Sequence, residues 1–374
     1  MGGLNAITTR DASAHRPLRG IWEQGFKSNS IREYSTRVEL HVDRFIRILE
    51  QTKGKFVDCV PLVTNMTFDI MADLSFGTDY GMQAGTGDPS YMGYLHDYLC
   101  ALSVTGSLRT LCDFMTVLPY DKATAEYRKQ GEKLLDGRIA MGKSRPDIFT
   151  HLLGEDIETG KKLTYSELNA NAQLLIVAGS DTTSTVLSNV FRELSLHPDV
   201  QEKLYQEIHA AAEAGPFDCQ NTKNLPYLQA VIDETLRLWP PVPAGAQAQT
   251  GPAGATIAGR FVPPLTAVRV HHLALMSDDR YFPQGERFWP ERWTESREDG
   301  VKDVRAFIPF SFGTHVCVGK HLAYNELRLT VARVSQKFKI ELGPNYDDQQ
   351  YRKACKDYFT IMIGSVEARF VPRI

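Results

Sequence analysis

Phe310-Ser311-Phe312-Gly313-Thr314-His315-Val316-Cys317-Val318-Gly319 is the stretch on which the reading of this chain turns. It sets one glycine four residues before a cysteine and another two after it, with a phenylalanine seven before and a histidine two before. Glycine lets a backbone approach a flat, bulky partner closely and take turns that other residues resist. Helix formers follow from Lys320 to Arg328, which places the sulfur at a helix N-terminus. Aligned amides there favour a thiolate over a thiol, and a thiolate in a glycine-lined loop can ligate a soft metal. Taken alone, a single cysteine is more usually a small buried hydrophobe, so other motifs must agree with it.

Upstream, Thr164-Tyr165-Ser166-Glu167 has the form of a capping box, in which a threonine and a glutamate satisfy each other's free amides. A helix starting there is expected to run to Leu196, where His197-Pro198 ends it and Pro198 opens the next, to about Ala212. Inside the first of these, Ala178-Gly179-Ser180-Asp181-Thr182-Thr183 is poor helix material. Glycine costs roughly 1 kcal/mol there, and threonine hydroxyls bond back to preceding carbonyls and bend the axis. The run reads either as a polar packing face or as a local opening of the helix beside a ligand. Asn224-Leu225-Pro226 begins a further helix, which Trp239-Pro240-Pro241 stops. On it Glu234 and Arg237 stand one turn apart, a spacing that is worth about 0.3–0.5 kcal/mol when exposed and is common everywhere.

These motifs, in this order, strongly resemble those of the cytochrome P450 family. The cysteine stretch is similar to its haem-binding signature, and the resemblance runs from about residue 10 to the C-terminus. It implies a mainly α fold with a small β-sheet and a haem b (iron protoporphyrin IX) cofactor. Cys317 would be the iron ligand, with Phe310, Gly313, His315 and Gly319 completing the loop around the haem. Ala178 and Gly179 would pack over its other face. Asp181 and Thr182 would be the catalytic acid–alcohol pair, delivering protons to dioxygen, a task that needs a hydroxyl at the iron and a titratable group behind it. His15-Arg16-Pro17-Leu18-Arg19 resembles the family's Trp-x-x-x-Arg pattern at a haem propionate, with His15 in place of the tryptophan and Arg19 as the arginine. Phe288-Trp289-Pro290-Glu291-Arg292-Trp293 resembles the segment that brings a second arginine to the Glu234–Arg237 pair, giving Glu234, Arg237 and Arg292 a structural role.

The resemblance also marks departures. Eukaryotic members usually begin with an anchor helix, a proline-rich hinge, two helices and the first sheet strands. The stretch here matched to the family's third helix begins within two dozen residues of Met1. The expectation is a single truncated haem domain over residues 1–374, lacking the anchor, the first helices and the first sheet strands. His315 stands where an arginine is commonest, and the run Val242 to Gln249 has no arginine where relatives often carry one. Haem anchoring would then lean on Arg19 and neutral donors.

Composition agrees with a large globular fold. The 374 residues are 43% hydrophobic, enough to bury a sizeable core, and a net charge of -3 gives no case for nucleic acid. The six cysteines, at 59, 100, 112, 219, 317 and 355, lack paired metal spacing and suit a reducing compartment. No run of about 18 apolar residues is present, so membrane association would not come from a transmembrane helix in this chain. Residues 31–80 read as helices, and 242–275 as short strands with turns. Tyr91 to Leu118 carries little charge and matches the family's substrate roof.

The implied activity is insertion of one oxygen atom from dioxygen into a small organic substrate, in the manner of a fungal secondary-metabolism monooxygenase. Family comparison puts pocket contacts near Phe114, Leu174, Leu175, Val242, Pro243, Ala244, Tyr358 and Phe359, mostly apolar residues. No dinucleotide fingerprint is present, so electrons must come from a separate protein. The resemblance names a membrane-bound NADPH–cytochrome P450 reductase, at the cytoplasmic face of the endoplasmic reticulum; without an anchor the chain could also be cytosolic. Two other readings stand beside this one: a haem-thiolate isomerase or dehydratase that uses no dioxygen, and a truncated, catalytically impaired remnant.

Overall fold

A computed structural model describes residue 9 and residues 11–105, 122–213, 215–294 and 300–373. Helix α1 (Ala12–Gly25) starts at Asp11, whose carboxylate accepts the Ser13 amide at 2.9 Å. Helix α2 (Ser28–Gln51) buries Ile31, Tyr34, Val38, Val42, Phe45 and Leu49, a stripe at the three-and-four spacing of a one-sided helix. After the short strand β1 (Val57–Asp58), helix α3 (Cys59–Phe76) is buried all round from Met66 onward. It stops at Gly77, whose positive φ of 67° and amide bond to the Asp73 carbonyl make a left-handed cap. The helical expectation for residues 31–80 thus resolves into two helices split by a strand.

Helices α4 (Ser90–Thr105), α5 (Lys122–Ala140) and α6 (Ile148–Leu152) follow. Helix α7 (Tyr165–Ile176) opens at the capping box, with both halves formed: Thr164 Oγ1 accepts the Glu167 amide at 3.3 Å and Glu167 Oε2 accepts the Thr164 amide at 2.9 Å. A π-helical turn, Val177–Asp181, leads without a break into α8 (Thr182–Leu196), and α9 (Pro198–Ala212) begins at the proline that the sequence marks. Every α8 residue from Thr183 to Leu194 is buried, because α3, α10 (Pro226–Leu238), α12 (Lys320–Lys337) and strand β6 (Phe338–Leu342) all pack on it. Between α10 and α12 lie strands β2 (Gln247–Gln249), β3 (Ala255–Ile257), β4 (Arg260–Val262) and β5 (Ala267–Arg269), then the short α11 (His272–Met276). The last part is α13 (Asp348–Ala354), the β7 (Lys356–Tyr358) and β8 (Thr360–Met362) hairpin, and β9 (Glu367–Pro372).

The sheets are small and antiparallel. Strand β9 lies between β1 and β6, with Val57 opposite Ala368 and Phe338 opposite Pro372. Strands β2 and β5 pair, as do β3 and β4, on the side of the molecule where Ile257, Phe261 and Leu265 are exposed. One continuous apolar cluster runs from Ile21 to Phe370 and joins the long helices to the β1–β9–β6 sheet.

Two buried carboxylates in this frame behave in opposite ways. Glu234 is fully buried and fully used. Arg237 approaches it in a bidentate fork at 2.9 Å, Arg292 Nε at 3.0 Å, the Trp289 amide at 2.9 Å and Trp293 Nε1 at 3.0 Å. The arginines spend their remaining donors on the carbonyls of Met276, Gly285 and Pro283. Removing one partner leaves uncompensated buried charge, so Glu234→Ala should lower the unfolding free energy by roughly 3–5 kcal/mol in denaturant titration.

Glu326 on α12 is equally buried, yet its Oε2 has no partner. Burial alone pushes its carboxyl up to about 8. The folded chain therefore keeps a proton that the unfolded chain has released, and this group's contribution must fall as pH climbs from 4.5 to about 8. Glu326→Gln should flatten that decline and be the more stable protein at pH 8, as read from denaturant midpoints across the interval.

Candidate functional site

The cysteine loop is built from backbone first. The Cys317 amide donates to the Phe310 carbonyl at 2.9 Å and the Val316 amide to Gly313 at 3.1 Å, closing the stretch into nested turns. Gly313 has φ 73° with open space on its Cβ side, so its absence of a side chain meets a conformational need. Ser311 also has positive φ, at 60°. Phe310 packs on Tyr324 of α12 at 5.1 Å between ring centroids, and the Lys320 ammonium lies 5.9 Å from the Phe310 ring.

Helix α1 clamps this loop. Arg19 donates to the Val316 carbonyl at 2.7 Å and to Glu23 at 2.7 Å. The His15 and His315 rings lie 4.4 Å apart, and Phe26 borders Gly319. Two positions that depart from the family pattern are thus in contact with each other. On its other side α1 is tied to α7, where Trp22 Nε1 donates to Asn171 Oδ1 at 2.9 Å. The structure therefore brings His15, Arg19, Phe310, Gly313, His315, Cys317 and Gly319 into one place.

Cys317 lies deep among protein atoms, yet it is exposed. Its open side therefore faces interior space. Burial pushes the thiol up, against the amides of Gly319 and Lys320 and the charges of Arg19 and Lys320, which pull it down. The helix N-terminus acts in the expected direction, but desolvation outweighs it. A sulfur that lies against open interior space fits a metal-centred group binding at that point.

The second cluster is on the π-turn. Thr182 Oγ1 donates to the Ala178 carbonyl at 2.7 Å, Ser180 Oγ to Ile176 at 2.6 Å and Ser184 Oγ to Asp181 at 3.0 Å. These back-bonds satisfy carbonyls around the widened turn. Leu174, Ala178 and Thr182, spaced by four, stay partly accessible just ahead of a stretch that is buried from Thr183 to Leu194, so this face borders an opening. Gly179 has a reason the sequence did not reveal: a Cβ there would collide with Met71 of α3.

Of the expected pocket residues, Leu174, Val242, Ala244 and Tyr358 are partly accessible and Phe359 is exposed, with φ 81°. Leu175 is a correction: at 2% exposure it belongs to the core, because it lies a hundred degrees round the helix from Leu174. Pro243 is likewise enclosed. Phe114 lies outside the described residues. His96 on α4 was not singled out by any motif, yet its Nε2 lies 3.5 Å from Asp181 Oδ1. A lone histidine in an apolar segment gives no signal until the helices are assembled.

A glycine-turned cysteine loop facing interior space, with an acid–alcohol pair on a widened helical turn, defines a haem-thiolate class of protein. A family model described as Cytochrome P450 matches residues 3–356. Cytochrome P450 67 of Uromyces fabae is 31% identical over 390 residues, covering 100% of this chain and 72% of its own length. Cytochrome P450 monooxygenase FCK2 of Fusarium pseudograminearum is 31% identical, covering 98% and 67%. Averantin hydroxylase of Dothistroma septosporum is 29% identical, covering 91% and 66%. The crystal structure of the cytochrome P450DA haem domain shares the fold at a TM-score of 0.84 and 19% identity, over 98% of this chain and 79% of that one. The chain belongs to the cytochrome P450 family and is, as its relatives are named, a monooxygenase with a haem cofactor. Among the described residues no helix is long and apolar enough to cross a membrane.

The loop geometry makes a graded prediction. Gly313→Ala should cost about 1–2 kcal/mol through its left-handed φ alone, and Gly313→Asn less, since asparagine tolerates that region. Denaturant unfolding of the two variants checks the order.

Proposed function

We propose that residues 1–374 act as one haem b-binding unit that inserts one oxygen atom from dioxygen into a small, apolar organic substrate in secondary-metabolite biosynthesis. The observation that carries this reading is the intact Asp181–Thr182 pair, set on a π-turn whose accessible face is apolar. Averantin hydroxylase, among the relatives, bears a name of that kind of activity. Leu174, Ala178, Val242 and Ala244 offer a substrate methyl and methylene surface, which favours apolar molecules by exclusion of water.

In this reading Cys317 would hold the iron, and haem so bound would supply the reductive activation of dioxygen. Phe310, Gly313, His315 and Gly319 form the wall on the cysteine side, with His15 and Arg19 beside it. Ala178 and Gly179 would border the group from the π-turn between α7 and α8. The overall balance is R–H, dioxygen, two electrons and two protons giving R–OH and water. The two protons must cross the protein, and a hydroxyl followed by a carboxylate is a suitable carrier. Thr182 Oγ1 can pass its proton onward and release the Ala178 carbonyl, and Asp181 can replace it. The electrons would come from NADPH–cytochrome P450 reductase, at the cytoplasmic face of the endoplasmic reticulum.

Reduced, haem-loaded protein exposed to carbon monoxide should show a strongly red-shifted Soret band that Cys317→Ala abolishes. Absence of haem uptake would contradict the reading. With substrate present, oxygen-18 from labelled dioxygen should appear in the product; an unlabelled product would point to isomerase or dehydratase chemistry. Thr182→Ala should lower oxygen-dependent turnover roughly a hundredfold and divert electrons to peroxide, and unchanged turnover would remove Thr182 from the proton path.

A further inference from the structure

We propose that His96 supplies Asp181 with protons: a positioning residue on a separate helix that holds the carboxylate and recharges it from solvent. The inference rests on the monooxygenase reading above. Asp181 is 6% exposed, and its Oδ2 has no hydrogen-bond partner. A buried carboxylate cannot refill itself from water directly, yet two protons are consumed in each turnover. The group that reaches it is His96, whose Nε2 lies 3.5 Å from Asp181 Oδ1. Its side chain keeps 29% exposure. One imidazole therefore joins a buried oxygen to accessible space. Among the described residues, no other basic side chain forms an ion pair with Asp181.

Imidazole suits the task because its two nitrogens act at once and its ordinary titration range is near neutrality. In the step, the Nε2–H bond breaks and an O–H bond forms at Asp181 Oδ1. The N–H electron pair stays on Nε2 while Nδ1 accepts a proton from hydronium or a buffer acid in the accessible space. The ring stays neutral overall and one proton has moved from solvent to the carboxylate; loss of the Nδ1 proton to water and uptake of one at Nε2 then restore the starting tautomer. The pairing joins different elements: His96 is on α4, which packs on α5 and approaches β7, whereas Asp181 is on the π-turn between α7 and α8. Proton supply is thus tied to the placement of α4.

The test uses haem-loaded protein and two variants, His96→Gln, which can still hold Asp181 by a hydrogen bond, and His96→Phe, which cannot. Each should give the red-shifted carbon monoxide spectrum, so that loss of the haem-thiolate centre is told apart from loss of proton supply. Both should leave KM within about twofold, lower kcat at least tenfold and raise the share of electrons lost as peroxide. A readout independent of turnover is the His96 ring resonance in labelled, reduced, carbon monoxide-bound protein. Its chemical shift should change in Asp181→Asn, because the carboxylate oxygen that faces Nε2 at 3.5 Å is altered. Wild-type kcat and peroxide release in His96→Gln would overturn proton transfer through the ring. A His96 resonance unmoved in Asp181→Asn would overturn the pairing itself.

Discussion

Glu234 is the constraint on which the rest of the proximal side depends. A carboxylate with no solvent access is tolerable only if every lone pair is used, and here five donors converge on it from α10 and the segment after Phe288. Once they are in place, Trp293 is fixed, and its ring packs on Phe307 at 4.7 Å. Phe307 lies three residues before Phe310, whose carbonyl closes the cysteine turn. A buried ion network thus bears, through Trp293 and Phe307, on the segment that leads into the Cys317 turn. Arg237 and Arg292 extend the hold by binding loop carbonyls that would otherwise be buried without partners.

The other side of the site depends on a helix that gives up regularity locally. The α7–α8 rod is gripped by α3, α10 and α12, so its ends cannot move apart. Gly179, required by the close approach of Met71, and the hydroxyls of Ser180 and Thr182 let the extra backbone length gather in one π-turn. That turn leaves Thr182 partly accessible while Asp181 stays buried. The acid and the alcohol thereby acquire different environments at adjacent positions, as a sequential proton carrier requires. Helix α1 connects the two sides, bound to the cysteine loop through Arg19 and to α7 through Trp22.

Much of this was legible in the chain as written. The capping box at Thr164, the prolines at 198 and 226 and the glycine at 313 act over a few residues, and the structure has each in the expected conformation, whereas Gly319 takes an ordinary φ of -79°. The resemblance to a family added which side chains belong together, most fully for Glu234, Arg237 and Arg292, whose separation in sequence hides a direct contact. Less legible was anything set by rotation about a helix axis or by meeting across the fold. Leu175 was expected in the pocket and lies in the core, and Gly179 serves a methionine of α3. His96 carried no local signal at all.

Sequence by itself determined the helix starts and stops, the cysteine turn and the presence of an acid beside an alcohol, because capping, φ preference and residue chemistry act between near neighbours. Tertiary structure decided the rest. It made Cys317 deep yet open on one side, so that desolvation exceeds the pull of the helix amides on the thiol. It brought His15 against His315 and His96 against Asp181. It also left Glu326 without a partner while giving Glu234 five donors. Burial and partnership are properties of packed surroundings, and a linear order of residues does not contain them.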